Sequence, residues 1–352
     1  MNEDTKYISC DSKNKFVWNP IYEQNKYILI DAQMGKGKTA FIKNFLKKDK
    51  EKYKDQKILF ISQRKTFTFF VTGEFDEFGI QNYMNLKNVS DYDQATNLCV
   101  QLESLLKTTL EYDIIILDEI ETILNQFSAS TLKSCQDTFQ LFTNLILNSR
   151  TVISADAFVL QRSIDFLSNI STLESKNKDQ KILLIKNNKP FLDGRKAVQI
   201  SQHQYDESVI KSLDDNKKVF GISTSKKDLR NLEIKINTET TDKKIKIYDC
   251  DSDKKDLLNV NETWQNADAV MFTSTIMTAV SYTAEPSFDV AYANLLSTNL
   301  ARDGMQMILR ARHLNDNILY FSVNNKRFAI RIKSNYMIAL MILGISINKK
   351  LI

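Results

Sequence analysis

The sequence is poor in the residues that several kinds of chemistry depend on. It has two histidines, His203 and His313, which all but excludes histidine-based metal or triad chemistry. Its four cysteines, Cys10, Cys99, Cys135 and Cys250, are scattered with no C-x-x-C pair. They predict neither a disulfide framework nor a zinc site, and they favour a reducing compartment. The one long apolar run, Met337 to Ile347, is shorter than the roughly 20 residues needed to span a bilayer. Met1 to Lys15 is polar and has no signal-peptide apolar core. A soluble intracellular protein without a membrane partner is the expectation. Neither sign of charge dominates, with 48 Lys+Arg against 43 Asp+Glu and a net charge of +5. That balance fits a nucleic-acid partner and fits a solvated mixed-charge surface equally well.

Glycine is scarce too, so its clustering is informative. Two of the eight glycines, Gly35 and Gly37, fall in the loop that follows the apolar run Tyr27 to Ile30, and Lys38-Thr39 then opens an amphipathic stretch, Phe41 to Leu46. Strand, glycine loop, Lys-Thr and helix are the layout of a P-loop. Glycines let successive backbone N–H groups turn inward around phosphate oxygens, and the helix N-terminus adds partial positive charge. Gly35, Lys36, Gly37, Lys38, Thr39 and Ala40 are the expected phosphate cradle. Lys38 would reach the β- and γ-phosphates and the Thr39 hydroxyl would ligate Mg²⁺, making ATP and Mg²⁺ the expected cofactors. Ala32 stands where the usual pattern begins with glycine. The competing reading is a glycine turn between a strand and a lysine-rich helix.

Three further buried-strand signatures follow in this half. Ile58 to Ile61 leads into Ser62-Gln63-Arg64-Lys65-Thr66. This basic cluster stands at a strand's C-terminal end, where open α/β sheets place ligand loops. It reads equally as a nucleic-acid phosphate contact or as a charged helix cap. Residues 92–107 read as a helical or loop segment. Asp113-Ile114-Ile115-Ile116-Leu117, apolar from Ile114 onward, is a strand run that ends in Asp118-Glu119-Ile120-Glu121. Beside a P-loop, Asp118 would hold Mg²⁺ and Glu119 would activate the attacking water; the alternative is that both acids merely cap a helix. A helical stretch, Thr131 to Leu147, precedes another strand, Arg150 to Ile153, which ends in Ser154-Ala155-Asp156-Ala157. Parallel strands that each end in polar chemistry describe a doubly wound α/β domain.

The turn-rich connection from Lys186 to Arg195, with one of only three prolines, is the expected inter-domain boundary. Beyond it the alternation restarts with Lys218 to Ile222, Lys244 to Tyr248 and Ala269 to Phe272. A helix-like stretch, Asp303 to Leu309, carries Gln306 and runs on to Arg310 and Arg312 before a last strand, Asn317 to Val323. The expected division is a polar lead-in over 1–15, domains over 16–190 and 191–330, and an unplaced apolar stretch over 331–352.

With these motifs laid out, the chain resembles a superfamily 2 helicase core, and more narrowly the origin-of-replication binding protein family of herpesviruses and other large DNA viruses. The resemblance rests on Ala32 to Thr39, Gln101 to Leu105, Leu117 to Phe127, Ile153 to Ala157 and Gln306 to Arg312. It implies two RecA-like domains, each a mostly parallel sheet flanked by helices, with ATP in the cleft between them. It implies an ATP-dependent helicase or translocase acting on single-stranded or forked DNA, with replication proteins as partners. Lys38, Asp118, Glu119, Gln306, Arg310 and Arg312 would be catalytic, with Arg310 acting as an arginine finger. Ser154 and Asp156 would couple hydrolysis to movement. Ser62, Arg64, Ser223, Thr273 and Thr275 fall where such cores grip one strand's backbone. Leu309 replaces the usual glycine, and His313 stands where many members have a second arginine, so Arg312 takes that role. Members that recognise origins use an additional C-terminal region, so sequence-specific origin binding is not expected of these residues. The rival expectations are a helicase relic that binds DNA without hydrolysing ATP and a P-loop NTPase indifferent to nucleic acid.

Overall fold

The computed structural model describes residues 16, 19–52, 55–174, 182–187, 194–252, 257, 259–276, 282, 284, 287–296, 301–324 and 346–349. The chain divides into two compact units, Met1–Lys189 and Pro190–Ile352.

The first unit alternates strand and helix. It begins with β1 (Tyr27–Ala32), α1 (Lys38–Lys52), β2 (Ile58–Ser62) and α2 (Lys65–Glu74). A short β3 (Gln81–Asn82), α3 (Val89–Gln94) and β4 (Asn97–Gln101) follow. Next come β5 (Ile114–Asp118), α4 (Ile120–Gln126), α5 (Cys135–Asn148), β6 (Thr151–Asp156), α6 (Gln161–Glu174) and β7 (Ile182–Asn187). The seven strands form one parallel sheet in the order β3-β4-β2-β5-β6-β1-β7. Its central strands are near-continuous apolar runs because helices cover both faces. On one face Leu29, Leu59, Ile61, Ile115, Leu117 and Val152 pack with Phe142, Leu145 and Ile146 of α5 and Leu167 of α6. The alternate residues Ile28, Ile30, Phe60 and Ile116 are equally buried, and Phe60 meets Phe75 at 4.7 Å between ring centroids. Each such side chain contributes on the order of 1.5–3 kcal/mol when withdrawn from water.

The second unit contains β8 (Lys196–Gln199), α7 (Gln202–Asp214), β9 (Val219–Ser223), α8 (Lys226–Glu239) and β10 (Ile245–Tyr248). It continues with α9 (Val260–Thr263), β11 (Ala269–Phe272), β12 (Phe288–Leu296), α10 (Ala301–Ile308), β13 (Leu314–Asn324) and β14 (Ser346–Lys349). Its parallel sheet runs β10-β11-β9-β12-β13-β8-β14. One face packs Val219, Met271, Val290 and Tyr292 against Tyr205, Val209 and Leu213 of α7 and Leu229 and Leu232 of α8. Aromatic rings crowd around Phe220, which lies 5.3 Å from both Phe272 and Phe288. Trp264 donates its indole N–H to the Tyr248 hydroxyl at 3.0 Å. A Cβ on Gly221 would lie 2.7 Å from Met271 Cγ, so glycine is what lets these neighbouring strands pack there.

Two expectations are revised. The segment 92–107 is not simply helix or loop: Asn97–Gln101 is strand β4, paired with β2. The stretch beyond 330 is partly placed, since Ser346–Lys349 extends the second sheet beside β8; residues 325–345 and 350–352 lie outside those described. Trp18 and the lead-in over 1–15 lie outside them too.

Candidate active site

In parallel sheets, all C-terminal strand ends share one edge. The P-loop follows β1, the acidic box ends β5, and only β6 separates these strands. Two strand spacings set the motifs roughly 10 Å apart. Gly35 and Gly37 adopt φ of +73° and +90°, conformations that L side chains disfavour. They turn the loop so that α1 begins at Lys38. Lys38 is buried and donates from Nζ to the Ala32 carbonyl at 2.9 Å. Thr39 is half-buried and Ala40 exposed at the helix mouth, and Lys36 is buried. Asp31, at the end of β1, is pushed above the usual carboxylate range by burial, which Lys186 at 3.7 Å and the Val159 N–H partly offset.

The acidic box is held in a strained turn. Glu119 occupies the N-cap position of α4 with φ +65°, and its side chain makes no capping hydrogen bond. A left-handed glutamate costs of order 1–3 kcal/mol. Its N–H donates to the Ala155 carbonyl at 2.8 Å, which ties the strained turn to β6. The capping is done instead by Asp156, which accepts from Glu121 N at 3.0 Å and from Phe158 N at 2.9 Å. This disfavours reading the Asp118-Glu119 pair as mere helix caps. Asp118 is half-buried and Glu119 buried. Ser154 lies level with Leu117 and Leu29 on the neighbouring strands, fully buried.

Glu121, part of the box without an assigned role, is firmly held. Its carboxylate is buried and accepts from Leu160 N at 2.8 Å, Arg162 Nη2 at 2.8 Å and the Ser163 hydroxyl. Asp156 and Glu121 thereby pin the box, the loop after β6 and the start of α6 to one another. Gln63, named in the cluster after β2 without a role of its own, also stands at this edge. It is 4% exposed, and among the described residues neither atom of its amide has a hydrogen-bond partner. Because Ile61 pairs with Leu117, Gln63 sits level with Glu119.

The loops expected to grip a strand repeat one device. Ser62 donates to the Arg64 carbonyl at 3.3 Å, and Ser223 to the Ser225 carbonyl at 2.9 Å. Both serines are buried, end equivalent strands, and precede helices that start at Lys65 and Lys226. Their hydroxyls therefore shape the turns, while Arg64 is only half-buried. Thr273 is buried, with its N–H bonded to the Tyr248 carbonyl at 2.9 Å. The Thr275 side chain lies outside the described residues, although its backbone is in the short helix Ser274–Ile276.

In the second unit, Gln306 lies on α10, 1% exposed, while Arg310 and Arg312 lie beyond the helix end, 4% exposed and half-buried respectively. Burial lowers the pKa of Arg312. Asp249, Cys250 and Asp251 cluster closely enough to hold a cation. Arg230 already pairs with Asp249 at 2.8 Å and Lys226 with Asp251, so these acids are neutralised by the protein itself.

The residues at the first unit's strand ends suit a magnesium nucleotide. Two left-handed glycines shape the loop, a buried lysine rests on a loop carbonyl, and Thr39 and Asp118 offer the hard oxygen ligands that Mg²⁺ prefers.

The family described as "Origin of replication binding protein" matches residues 5–200. A putative helicase R8 of Acanthamoeba polyphaga mimivirus is 26% identical, covering 90% of this chain and 31% of that protein. A putative replication origin-binding protein of the same virus is 30% identical, covering 84% and 38%. The replication origin-binding protein of human herpesvirus 6B is 33% identical over 187 residues, 52% of this chain and 22% of that protein. The chain thus spans about a third of the length of the first two. Among solved structures, Mss116p bound to ssRNA and AMP-PNP matches with a TM-score of 0.65 at 14% identity, covering 95% of this chain and 73% of that one. S. cerevisiae Dbp5 bound to RNA and ADP BeF3 gives 0.63 at 12%, covering 92% and 85%. These likenesses establish the two-domain RecA-like helicase fold. The chain belongs to the origin of replication binding protein family.

Proposed function

We propose that the chain is an ATP-hydrolysing motor that moves along or unwinds DNA during replication. The observation that carries this reading is the sharing of one sheet edge by the glycine loop with Lys38 and the strained Asp118-Glu119 turn, one strand apart. In this reading Lys38 leaves the Ala32 carbonyl for the β- and γ-phosphates, and loop N–H groups from Gly35 to Ala40 surround them. Thr39 and Asp118 would hold Mg²⁺, which would offset phosphate charge. Glu119, fixed by its backbone rather than by a cap bond, takes the proton of the attacking water. In this reading Gln306, Arg310 and Arg312 act on the same triphosphate, the two arginines supplying positive charge that stabilises the transition state. Glu121 and Asp156 carry any shift of the box into the loop after β6, with Ser154 on the same strand. Arg64, from the turn shaped by Ser62 after β2, and Thr273 and Thr275, from the turn after β11, contact the nucleic-acid backbone. DNA and replication partners follow from the relatives, among them putative helicase/primase complex proteins of African swine fever virus.

The test is phosphate release with and without single-stranded DNA. The wild type should be stimulated by the strand, Lys38→Ala should release none, and Glu119→Gln should bind ATP while losing about 10²–10⁴ in turnover. Normal hydrolysis by Lys38→Ala would remove the assigned site. A wild type that binds the strand yet releases no phosphate would mark a relic, as the departures at Leu309 and His313 would then explain. Turnover indifferent to the strand would mark an NTPase of another class.

A further inference from the structure

The segment bearing Arg310 and Arg312 is tied down at four consecutive carbonyls. Tyr282 N donates to the Arg310 carbonyl at 2.9 Å. Arg195 donates from Nη1 to the Ala311 carbonyl at 3.4 Å and from Nη2 to the Arg312 carbonyl at 3.2 Å. The Ser287 hydroxyl donates to the His313 carbonyl. Arg195 uses its remaining nitrogen, Nε, on Asn317 Oδ1 at 3.1 Å. Lys196 pairs with Ile318 across β8 and β13, so Arg195 and Asn317 lie level, and the guanidinium reaches back from there across the turn after α10.

Arg195 is only 2% exposed. Burying a guanidinium is costly unless its donors are used, and burial lowers this one to a pKa of about 10, still cationic at neutral pH. An apolar side chain of similar volume would fill the space without that cost, so packing alone does not account for arginine here. A lysine places its donors on one nitrogen, whereas a guanidinium presents five N–H groups in a rigid plane. That plane spans two successive carbonyls and a side-chain amide at once.

The geometry points to Arg195 as a positioning residue for the arginine motif, fixing the backbone of Ala311 and Arg312 so that the Arg310 and Arg312 side chains project from a rigid frame. The inference rests on the proposed role of those two arginines at the nucleotide. Charges held in place before the reaction need no reorganisation as the transition state develops. A loop free to relax by even about 1 Å would lose much of that benefit.

The experiment compares Arg195→Lys, Arg195→Met and Asn317→Gly with the wild-type full chain, using amide hydrogen exchange and ATP turnover. The expected result for Arg195→Lys is about tenfold faster exchange over 309–317 with β9 and β11 unchanged. Its strand-stimulated kcat should fall about tenfold or more while KM for ATP stays within about twofold. Asn317→Gly, which removes one acceptor and tolerates the φ of +50° at that position, should shift both readouts the same way by less. If Arg195→Met does not fold, the other two variants decide the matter. Unchanged exchange over 309–317 in Arg195→Lys, or wild-type kcat, would overturn the inference. So would faster exchange across the whole sheet with KM rising alongside, the mark of a merely structural residue. Should the wild type itself release no phosphate, the functional reading fails, and the exchange measurement still decides whether Arg195 holds the segment.

Discussion

Replacing Glu121 with alanine should destabilise the first unit far more than its place in a short helix implies. The side chain is 1% exposed and receives Leu160 N, Arg162 Nη2 and the Ser163 hydroxyl. Hydrogen bonds to a charged group contribute about 1.5–3 kcal/mol each, but three such terms do not simply add. Arg162 is 45% exposed, so solvent takes over most of its share, and the Ser163 hydroxyl can turn to a helix carbonyl. The Leu160 N–H has no comparable substitute. The net cost is about 3 kcal/mol, at the low end for breaking a buried charged pair. Glu121→Gln keeps one acceptor and should cost about half as much. Because the two units need not unfold together, the readout is hydrogen exchange of β5 and β6 amides under native conditions. About 3 kcal/mol corresponds to roughly hundredfold faster exchange. An effect on β5 and β6 no larger than that of substituting the exposed Glu111 would refute the reasoning.

Three further outcomes follow from particular residues. Gly37→Ala places a side chain at φ +90° with its Cβ 3.5 Å from the Phe16 ring; about 1–2 kcal/mol of strain should weaken ATP binding at least severalfold by equilibrium dialysis, and unchanged affinity would contradict the loop geometry. Burial alone would raise the Asp249 carboxyl, but bonds from Arg230, Asp251 N and Ser252 outweigh it and hold the pKa down to about 2. A depressed carboxylate adds stability above its unfolded value, about 4, and loses it as pH falls through the folded one. The stability gap between wild type and Asp249→Asn should therefore close as pH drops from about 4 to about 2, and a gap constant across that window would show the bonds to be idle. Binding of single-stranded DNA should weaken by orders of magnitude as salt rises, with a shallower slope in Arg64→Ala; identical slopes would remove Arg64 from the backbone contacts.

Strands β1, β2, β5 and β6 were legible because burial on both faces leaves them as unbroken apolar runs, and each ends in the polar residues of a motif. Strand β4 was not, since only Leu98-Cys99-Val100 separates Asn97 from Gln101, too short a run to distinguish strand from helix. Strand β12 lies at the centre of the second sheet, yet Ala291, Ala293 and Asn294 dilute its β character, and it is the flanking β9 and β13 that bury it. The glycine loop and acidic box could be read because local spacing determines them. The roles of Glu121 and Arg195 could not, because their partners lie 39 to 42 and 116 to 122 residues away. The inward turn of the Ser62 and Ser223 hydroxyls is local, but a serine at a strand end reads the same whether it faces a ligand or its own loop.

Whether Lys38 and Arg310 act on one triphosphate is tested most directly by measuring ATP affinity and strand-stimulated phosphate release for Arg310→Ala. The expected result is affinity within about twofold of wild type with turnover reduced about a thousandfold. Wild-type turnover in Arg310→Ala would contradict it.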